Sequence, residues 1–215
     1  MKSTLFKMGD YGYDNFRIPA ILSLPENKII VFCEGRPTMS DTGKISVVAR
    51  ISRDGGKTFE QQFMIAQEGE NTLENPCPVF DRDTGTIWLF LSWNAGNTKE
   101  AEIIQKYGKR RVFLTHSNDL GETWSPIKDM TSILSRENWT WYATGPCHGL
   151  QMKSGRIIIP CDHGVFPLVD NDVYKSMKSH IIYSDDHGKS WHIGTELNSN
   201  TTECCVAEIR NNYLT

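Results

Sequence analysis

No apolar run in this 215-residue chain approaches the ~18 residues that cross a bilayer as a helix. Nor does one sign of charge dominate: 23 basic against 26 acidic residues leave a formal net charge of −3. That balance gives no electrostatic reason to expect nucleic acid or an anionic membrane surface as partner. The opening stretch, MKSTLFKMGDYGYDNF, lacks the apolar core of a secretion signal. If Met1 is the true start, a cytosolic protein is expected. If sequence precedes it, export or a lysosomal location stays open. None of the six cysteines (33, 77, 147, 161, 204 and 205) forms a C-x-x-C pair, which argues against a zinc ribbon or a thioredoxin-like site. They lie among apolar residues and are expected to be buried as small hydrophobes. Two glycosylation-acceptor patterns, Asn138-Trp-Thr140 and Asn200-Thr-Thr202, carry little meaning without a signal peptide. Linkers, low-complexity stretches and long helical patterns are missing too. Only residues 100–106 and 130–135 can hold a helical turn or two.

What the chain has is short runs rich in β-branched and aromatic residues. Ile29-Ile-Val-Phe-Cys33, Thr86-Ile-Trp-Leu-Phe-Leu91 and His180-Ile-Ile-Tyr183 are typical. Turn sequences such as Pro25-Glu-Asn27 and Asp83-Thr-Gly85 separate them. This pattern predicts an all-β chain built of hairpins.

One motif occurs three times, as Ser52-Arg-Asp54-Gly-Gly56-Lys-Thr58-Phe59, Ser117-Asn-Asp119-Leu-Gly121-Glu-Thr123-Trp124 and Ser184-Asp-Asp186-His-Gly188-Lys-Ser190-Trp191. The copies start 65 and 67 residues apart. Near-constant spacing signals a repeated architectural unit. Each copy falls between two strand-like runs and so reads as a hairpin loop. The Asp side chain can accept hydrogen bonds from its own loop, and the Gly two residues on permits positive φ. The final aromatic is expected to tuck its ring against its own hairpin. These residues read as structural. A spacing of this size suits one four-stranded blade of a β-propeller.

The three copies are Asp boxes, and the whole chain resembles the sialidase (neuraminidase) superfamily. Phe16-Arg17-Ile18-Pro19 matches that family's F/Y-R-I-P motif. Glu34-Gly35-Arg36, Ser40-Asp41-Thr-Gly43, Asn75-Pro-Cys-Pro78, Gly145-Pro-Cys-His-Gly149 and Thr202-Glu203-Cys-Cys follow in the family's order. The resemblance implies a partial catalytic β-propeller domain over residues 1–215. The family's propeller has six blades, and about three to three and a half are expected here.

The activity implied is that of a retaining exo-α-sialidase, which removes terminal sialic acids from glycoproteins, gangliosides and oligosaccharides without a cofactor or metal. Arg17 matches the first of three arginines that bind the substrate carboxylate, a task suited to a planar, permanently charged guanidinium. Asp41 matches the acid/base that protonates the leaving oxygen. Arg36 matches a pocket arginine beside that acid. Glu203 matches the glutamate that serves as base to a tyrosine nucleophile. A neutral tyrosine avoids the repulsion that a carboxylate nucleophile would meet at a carbon already bearing one. Glu208 competes for Glu203's role. Five residues apart in one uninterrupted strand, the two would point to opposite faces. Glu100 aligns loosely with a second acidic pocket residue. Relatives carry tyrosines where this chain has Cys161-Asp162-His163-Gly164. Asp162 and His163 are candidates to replace their polar contacts with substrate.

The resemblance places the remaining arginines and the tyrosine after Thr215, and neither Arg210 nor Tyr213 sits where it could substitute. The 215 residues alone are therefore expected to be inactive and to expose apolar blade surface. Two other readings remain open: a non-catalytic propeller that binds sialylated glycans or proteins, and a trans-sialidase. Nothing in the sequence indicates an oligomeric state.

Overall fold

A computed structural model describes residues 3–210 and, as backbone alone, residues 213 and 214. Met1, on which the expected location turned, lies outside the described residues. The short β-branched runs form successive antiparallel sheets. The first joins β1 (Asn15–Ser23), β2 (Ile29–Arg36), β3 (Ser46–Ser52) and β4 (Phe63–Ala66) in that order. The second repeats the plan with β5 (Thr72–Asp81), β6 (Thr86–Asn94), β7 (Arg111–Ser117) and β8 (Lys128–Asp129). The third holds β9 (Trp139–Thr144), β10 (Leu150–Gln151), β11 (Ile157–Val165), β12 (Met177–Ser184) and β13 (His192–Glu196). A hairpin of β14 (Glu208–Arg210) and β15 (Tyr213–Leu214) follows. The two helix-compatible segments become α1 (Glu100–Ile104) and α2 (Thr131–Leu134). Consecutive meandering sheets of this kind are the blades of a β-propeller.

The blades stack face to face and share two cores. Phe32, Val47, Leu73 and Leu89 fill the space between the first and second. Val79, Phe90, Ile157, Ile159 and Ile182 fill that between the second and third. Residues 30–36 of β2 are buried on both faces, as a sheet covered on both sides requires.

The first strand of every blade is broken at an X-Pro step. Register shifts occur between Arg17 and Ala20 in β1, and between Glu74 and Cys77 in β5. In the third blade the break is longer. β9 and β10 both pair with β11, on either side of the excursion 145–149. The residue before each proline has positive φ: Ile18 at 52°, Asn75 at 54° and Gly145 at 77°. For Ile18, a β-branched residue ahead of a proline, this is a strained conformation. Strain of this sort is held by a surrounding structure that fixes the backbone, and it clusters at functional sites.

The Asp boxes close the β3–β4, β7–β8 and β12–β13 hairpins. Their bonding is the same in all three. Ser52, Ser117 and Ser184 each donate to the box aspartate and accept the amide of the box glycine at 2.8 Å. Asp54, Asp119 and Asp186 in turn accept the amide and hydroxyl of Thr58, Thr123 and Ser190. These bonds hold each carboxyl below its ordinary range, at about 2 for Asp119 and Asp186.

The rings of the later boxes reach beyond their own hairpins as well, although Trp124 still donates its indole N–H to the Gly121 carbonyl of its own box at 3.2 Å. Trp124 meets Phe32 of the preceding blade edge-on at 5.8 Å, and Trp191 meets Phe90 of its preceding blade at 4.6 Å. The glycines follow the same rule. A Cβ on Gly121 would lie 2.2 Å from Ile30 Cδ1, and one on Gly188 2.2 Å from Trp88 Cζ2. Gly188 also has φ of 79°. Gly188→Ala is therefore expected to destabilise the protein by about 1–3 kcal/mol through overpacking and backbone strain. Urea denaturation checks this, and an unchanged midpoint would contradict the packing described.

The cysteines divide. Cys33, Cys77 and Cys161 are buried as expected, but Cys147 and Cys205 are exposed and Cys204 is half-buried. Cys147 sits on the excursion that interrupts the third blade's first strand, and Cys204 and Cys205 on the irregular segment before β14. Loops of this kind run over the surface and take their side chains with them. Among the described residues no helix is long and apolar enough to cross a membrane. Ile21, Met64 and Ile209 are large apolar side chains left exposed.

Candidate active site

The strained steps of β1 and β5 open onto one cavity of about 230 Å³. Six of the side chains singled out in the sequence line it, Arg17, Arg36, Asp41, Glu100, Asp162 and Glu203, and His163 and Glu208 do not. They come from all three blades and the segment before β14.

Arg17 sits at the β1 bulge, its backbone carbonyl accepting the Cys33 thiol at 3.0 Å. Its side chain is 44% exposed and donates to Asp41 at 2.6 Å. Asp41 lies on the exposed loop 37–44 and also accepts from Arg36 at 2.5 Å. Arg36 is buried at the end of β2. It gives Glu34 two hydrogen bonds, at 2.8 and 2.5 Å, and bonds the Ser40 carbonyl at 3.1 Å. Glu34 also accepts the Asn75 amide at 2.7 Å, so it ties the first strained step to the second. Burial and the neighbouring Glu74 push the Glu34 carboxyl up to about 7, against the pull of Arg36. Burial also pushes Asp41 up. Its hydrogen bond to Arg36 and the charges of Arg36, Arg17 and Arg110 more than offset this, and Asp41 stays below the ordinary carboxylate range.

Glu100 opens α1 and is exposed at the rim. Glu203 is exposed on the segment 201–207. That segment is anchored to the third blade, where Ser179 donates its amide to the Thr201 hydroxyl at 2.8 Å and its own hydroxyl to the Thr202 carbonyl. The Cys204 thiol reaches the Cys161 carbonyl at 3.4 Å. Glu203 and Glu208 do not share an uninterrupted strand, because β14 begins only at Glu208. Their separation is set by an irregular segment rather than by strand alternation. Glu203 reaches the cavity, and Glu208 instead accepts the Lys153 amide at 3.0 Å.

His163 is absent from the cavity lining. Next to Asp162 on β11, it projects to the other face, where it stacks on Trp139 at 3.6 Å and pairs with His180. Adjacent strand residues point to opposite faces, so only one of the two can face a ligand.

Among the lining residues the sequence did not single out, three are charged or aromatic: Glu74, Arg110 and Trp141. Arg110 is buried, pairs with Glu74 and lies over the Trp141 ring at 3.9 Å. In the sequence Lys109-Arg110-Arg111 reads as a solvated basic run. The one available signal was the neighbour of a known motif: Glu74 directly precedes Asn75-Pro76, as Arg17 precedes Ile18-Pro19.

Residues 27–213 match the family described as the BNR repeat-like domain. The chain belongs to the sialidase superfamily, within that BNR repeat-like family. It is 33% identical to sialidase-3 of Mus musculus, over 97% of this chain and 53% of that protein. It is 34% identical to the exo-alpha-sialidase of Aspergillus fumigatus, over 69% of this chain and 41% of that protein. Among solved structures, the Hadza microbial sialidase Hz136 superposes with a TM-score of 0.84 at 26% identity, covering 96% of this chain and 42% of that one. The chain thus spans about half the length of the curated sialidases it matches. Their shared fold agrees with the bladed, all-β architecture. The superfamily's Asp boxes, as seen here, hold blades together at a distance from the cavity.

Proposed function

We propose that the cavity binds a terminal sialic acid and contributes the acid/base half of a retaining exo-α-sialidase. The observation that carries this is the convergence of Arg17, Arg36, Asp41, Glu100, Asp162 and Glu203 on one small cavity from widely separated parts of the chain. Arg17, part-exposed and strain-held, receives the substrate carboxylate. Asp41 stands beside it to protonate the leaving oxygen and later to deprotonate the attacking water. Without ligand, Arg17 and Arg36 keep Asp41 ionised. A substrate carboxylate on Arg17 competes for that cation and places a like charge nearby. Both effects raise the proton affinity of Asp41, which a general acid requires. Glu203 would act as base to the nucleophile. The resemblance makes that nucleophile a tyrosine, and among the described residues no tyrosine lines the cavity.

Two outcomes are expected of the 215-residue chain. It releases no fluorophore from a fluorogenic α-sialoside, and detectable release would overturn the assignment of the nucleophile. It binds the methyl α-glycoside of N-acetylneuraminic acid, and Arg17→Ala weakens that binding by about tenfold or more, the size of a lost charge-assisted hydrogen bond. Equal affinity of wild type and variant in calorimetric titrations would remove Arg17 from the carboxylate site.

A further inference from the structure

Each later Asp-box hairpin lies against the second strand of the blade before it, and the two interfaces differ at matching positions. At the first, Gly121 packs on Ile30 of β2, and the Trp124 indole donates to the Gly121 carbonyl at 3.2 Å. At the second, Gly188 packs on Trp88 of β6, so an indole stands where the first interface has an aliphatic side chain. Trp191 holds the place of Trp124 and is only 3% exposed, yet its N–H has no acceptor among the described residues. The buried N–H of Trp88 has none either, and the two rings lie 6.0 Å apart. An enclosed donor without a partner is costly, so two adjacent ones call for acceptors from outside.

Both indoles line an open groove of about 560 Å³ between the outer part of the second blade and the third blade's Asp box. It shares no residue with the cavity described above. Leu114 and Met130 make its floor apolar, and the exposed Lys128 and Lys189 stand on its rim. No carboxylate or amide side chain lines it. The acidic residues nearest in sequence are engaged, Asp129 with Arg111 at 3.2 Å and Asp185 with Arg156 at 2.6 Å. The Ser125 hydroxyl accepts the His116 amide, and that of Ser190 donates to Asp186. Apart from the imidazoles of His116 and His192, the groove therefore offers donors and cations. Its ligand should be rich in acceptors, poor in donors and negatively charged. A neutral sugar fits badly, because every hydroxyl brings a hydrogen that needs an acceptor. A proline-rich chain fits well. Proline has no N–H, a polyproline II backbone keeps its carbonyls free, and aromatic-lined grooves take such segments.

We propose that this groove docks a proline-rich, acidic segment of a partner protein in polyproline II form. The segment's carbonyls accept the Trp88 and Trp191 indole N–H groups, its proline rings cover Leu114 and Met130, and its carboxylates meet Lys128 and Lys189. The inference does not depend on what the cavity binds.

Magnetic-resonance titration of the isotope-labelled chain reads this at the indole N–H signals. The probe is a synthetic peptide of about ten residues, prolines interrupted by glutamates. It should move the Trp88 and Trp191 signals and slow their hydrogen exchange, and leave the already bonded Trp124 signal in place. Trp88→Phe, which keeps a ring and loses the N–H, should weaken binding about fivefold or more. Lys189→Glu, a charge reversal on the exposed rim, should weaken it by a similar factor of about five. No movement of either indole signal up to about 1 mM peptide overturns the proposal. So does equal binding of a peptide with glycines in place of the prolines, or with lysines in place of the glutamates. If an oligosaccharide of hexuronic acids moves the two signals and the peptide does not, the groove belongs to an acidic glycan and the proposal falls. Should Trp88→Phe fail to fold, Lys189→Glu decides, and unchanged affinity in that variant overturns the proposal.

Discussion

Two histidines of the third blade make acidification below about pH 6.5 destabilising, against the opposite contribution of the buried carboxyls Glu34 and Asp162. His163 and His180 face one another Nδ1 to Nδ1 at 3.0 Å, so one carries the hydrogen and the other accepts it. His180 Nε2 lies 3.3 Å from the Tyr142 hydroxyl, and both rings pack on Trp139. Burial lowers both, His163 to about 3, and the positive charges of Lys178 and Arg136 push His163 the same way. Glu196, whose carboxylate lies 3.7 Å from His163 Nε2, does not reverse this. Unfolded histidines titrate near 6.5. Between that value and about 3, the unfolded chain takes up protons that folded His163 cannot hold. The stability that the two histidines contribute is therefore full above 6.5 and falls as the pH drops. Each histidine contributes a slope of up to ~1.4 kcal/mol per pH unit, and the pair close to 3. Glu34 and Asp162, whose carboxyls burial pushes up to about 7, take up protons in the folded state over the same range and offset this slope, so the histidine contribution is read as a difference between variant and wild type. Urea midpoints at a series of pH values would show it. His163→Phe/His180→Phe removes both titrating rings and their mutual bond together. Relative to wild type it should remove a destabilising slope of up to ~3 kcal/mol per pH unit between pH 6.5 and 4.5, even if stability at pH 7.5 falls. An unaltered slope in that variant would place acid sensitivity elsewhere.

Arg36→Met is the second substitution with a large expected effect. Arg36 is almost wholly enclosed and answers the buried carboxylate of Glu34. Removing one member of a buried ion pair costs about 3–5 kcal/mol, because the other is left uncompensated. Here Glu34 has a partial escape, since its carboxyl already sits near 7 and takes up a proton more readily once Arg36 is gone. In the variant its folded value is raised further above the unfolded one, so the folded state holds the extra proton. Stability then falls as the pH rises. Arg36→Met should accordingly be less stable at pH 8.5 than at 6.5. Adding Glu34→Gln should restore much of the loss and reduce that pH trend to the part that the buried Asp162 contributes. A single variant within about 1 kcal/mol of wild type at pH 8.5 would show that the pair is not what holds the end of β2.

The parts legible in the sequence were those written in local chemistry. An Asp box advertises itself because its bonds close within eight consecutive residues. Each short β-branched run can be read as a strand for the same reason. Arg17, Asp41 and Glu203 could be named because they sit in motifs. Arg110 could not, because its burial depends on Glu74 of β5 and Trp141 of β9, the latter in the next blade. Nor could the division of labour between Asp162 and His163. Adjacent polar residues look interchangeable until the strand sets one toward the cavity and the other toward Trp139. The box tryptophans mislead in the opposite sense. Their rings belong to a local motif, but the surface they cover belongs to another blade.

That overlap gives assembly a direction. In each of the later two blades, the element contributed last, the hairpin carrying the Asp box, shields aromatic or aliphatic surface on the blade made before it: Trp124 over Phe32, and Trp191 over Phe90. Chains emerge from the ribosome starting at the N-terminus, and their parts fold in that order. The first blade therefore waits about sixty residues of synthesis for its cover, and the second as long again, like tiles that shed water only once the next course is laid.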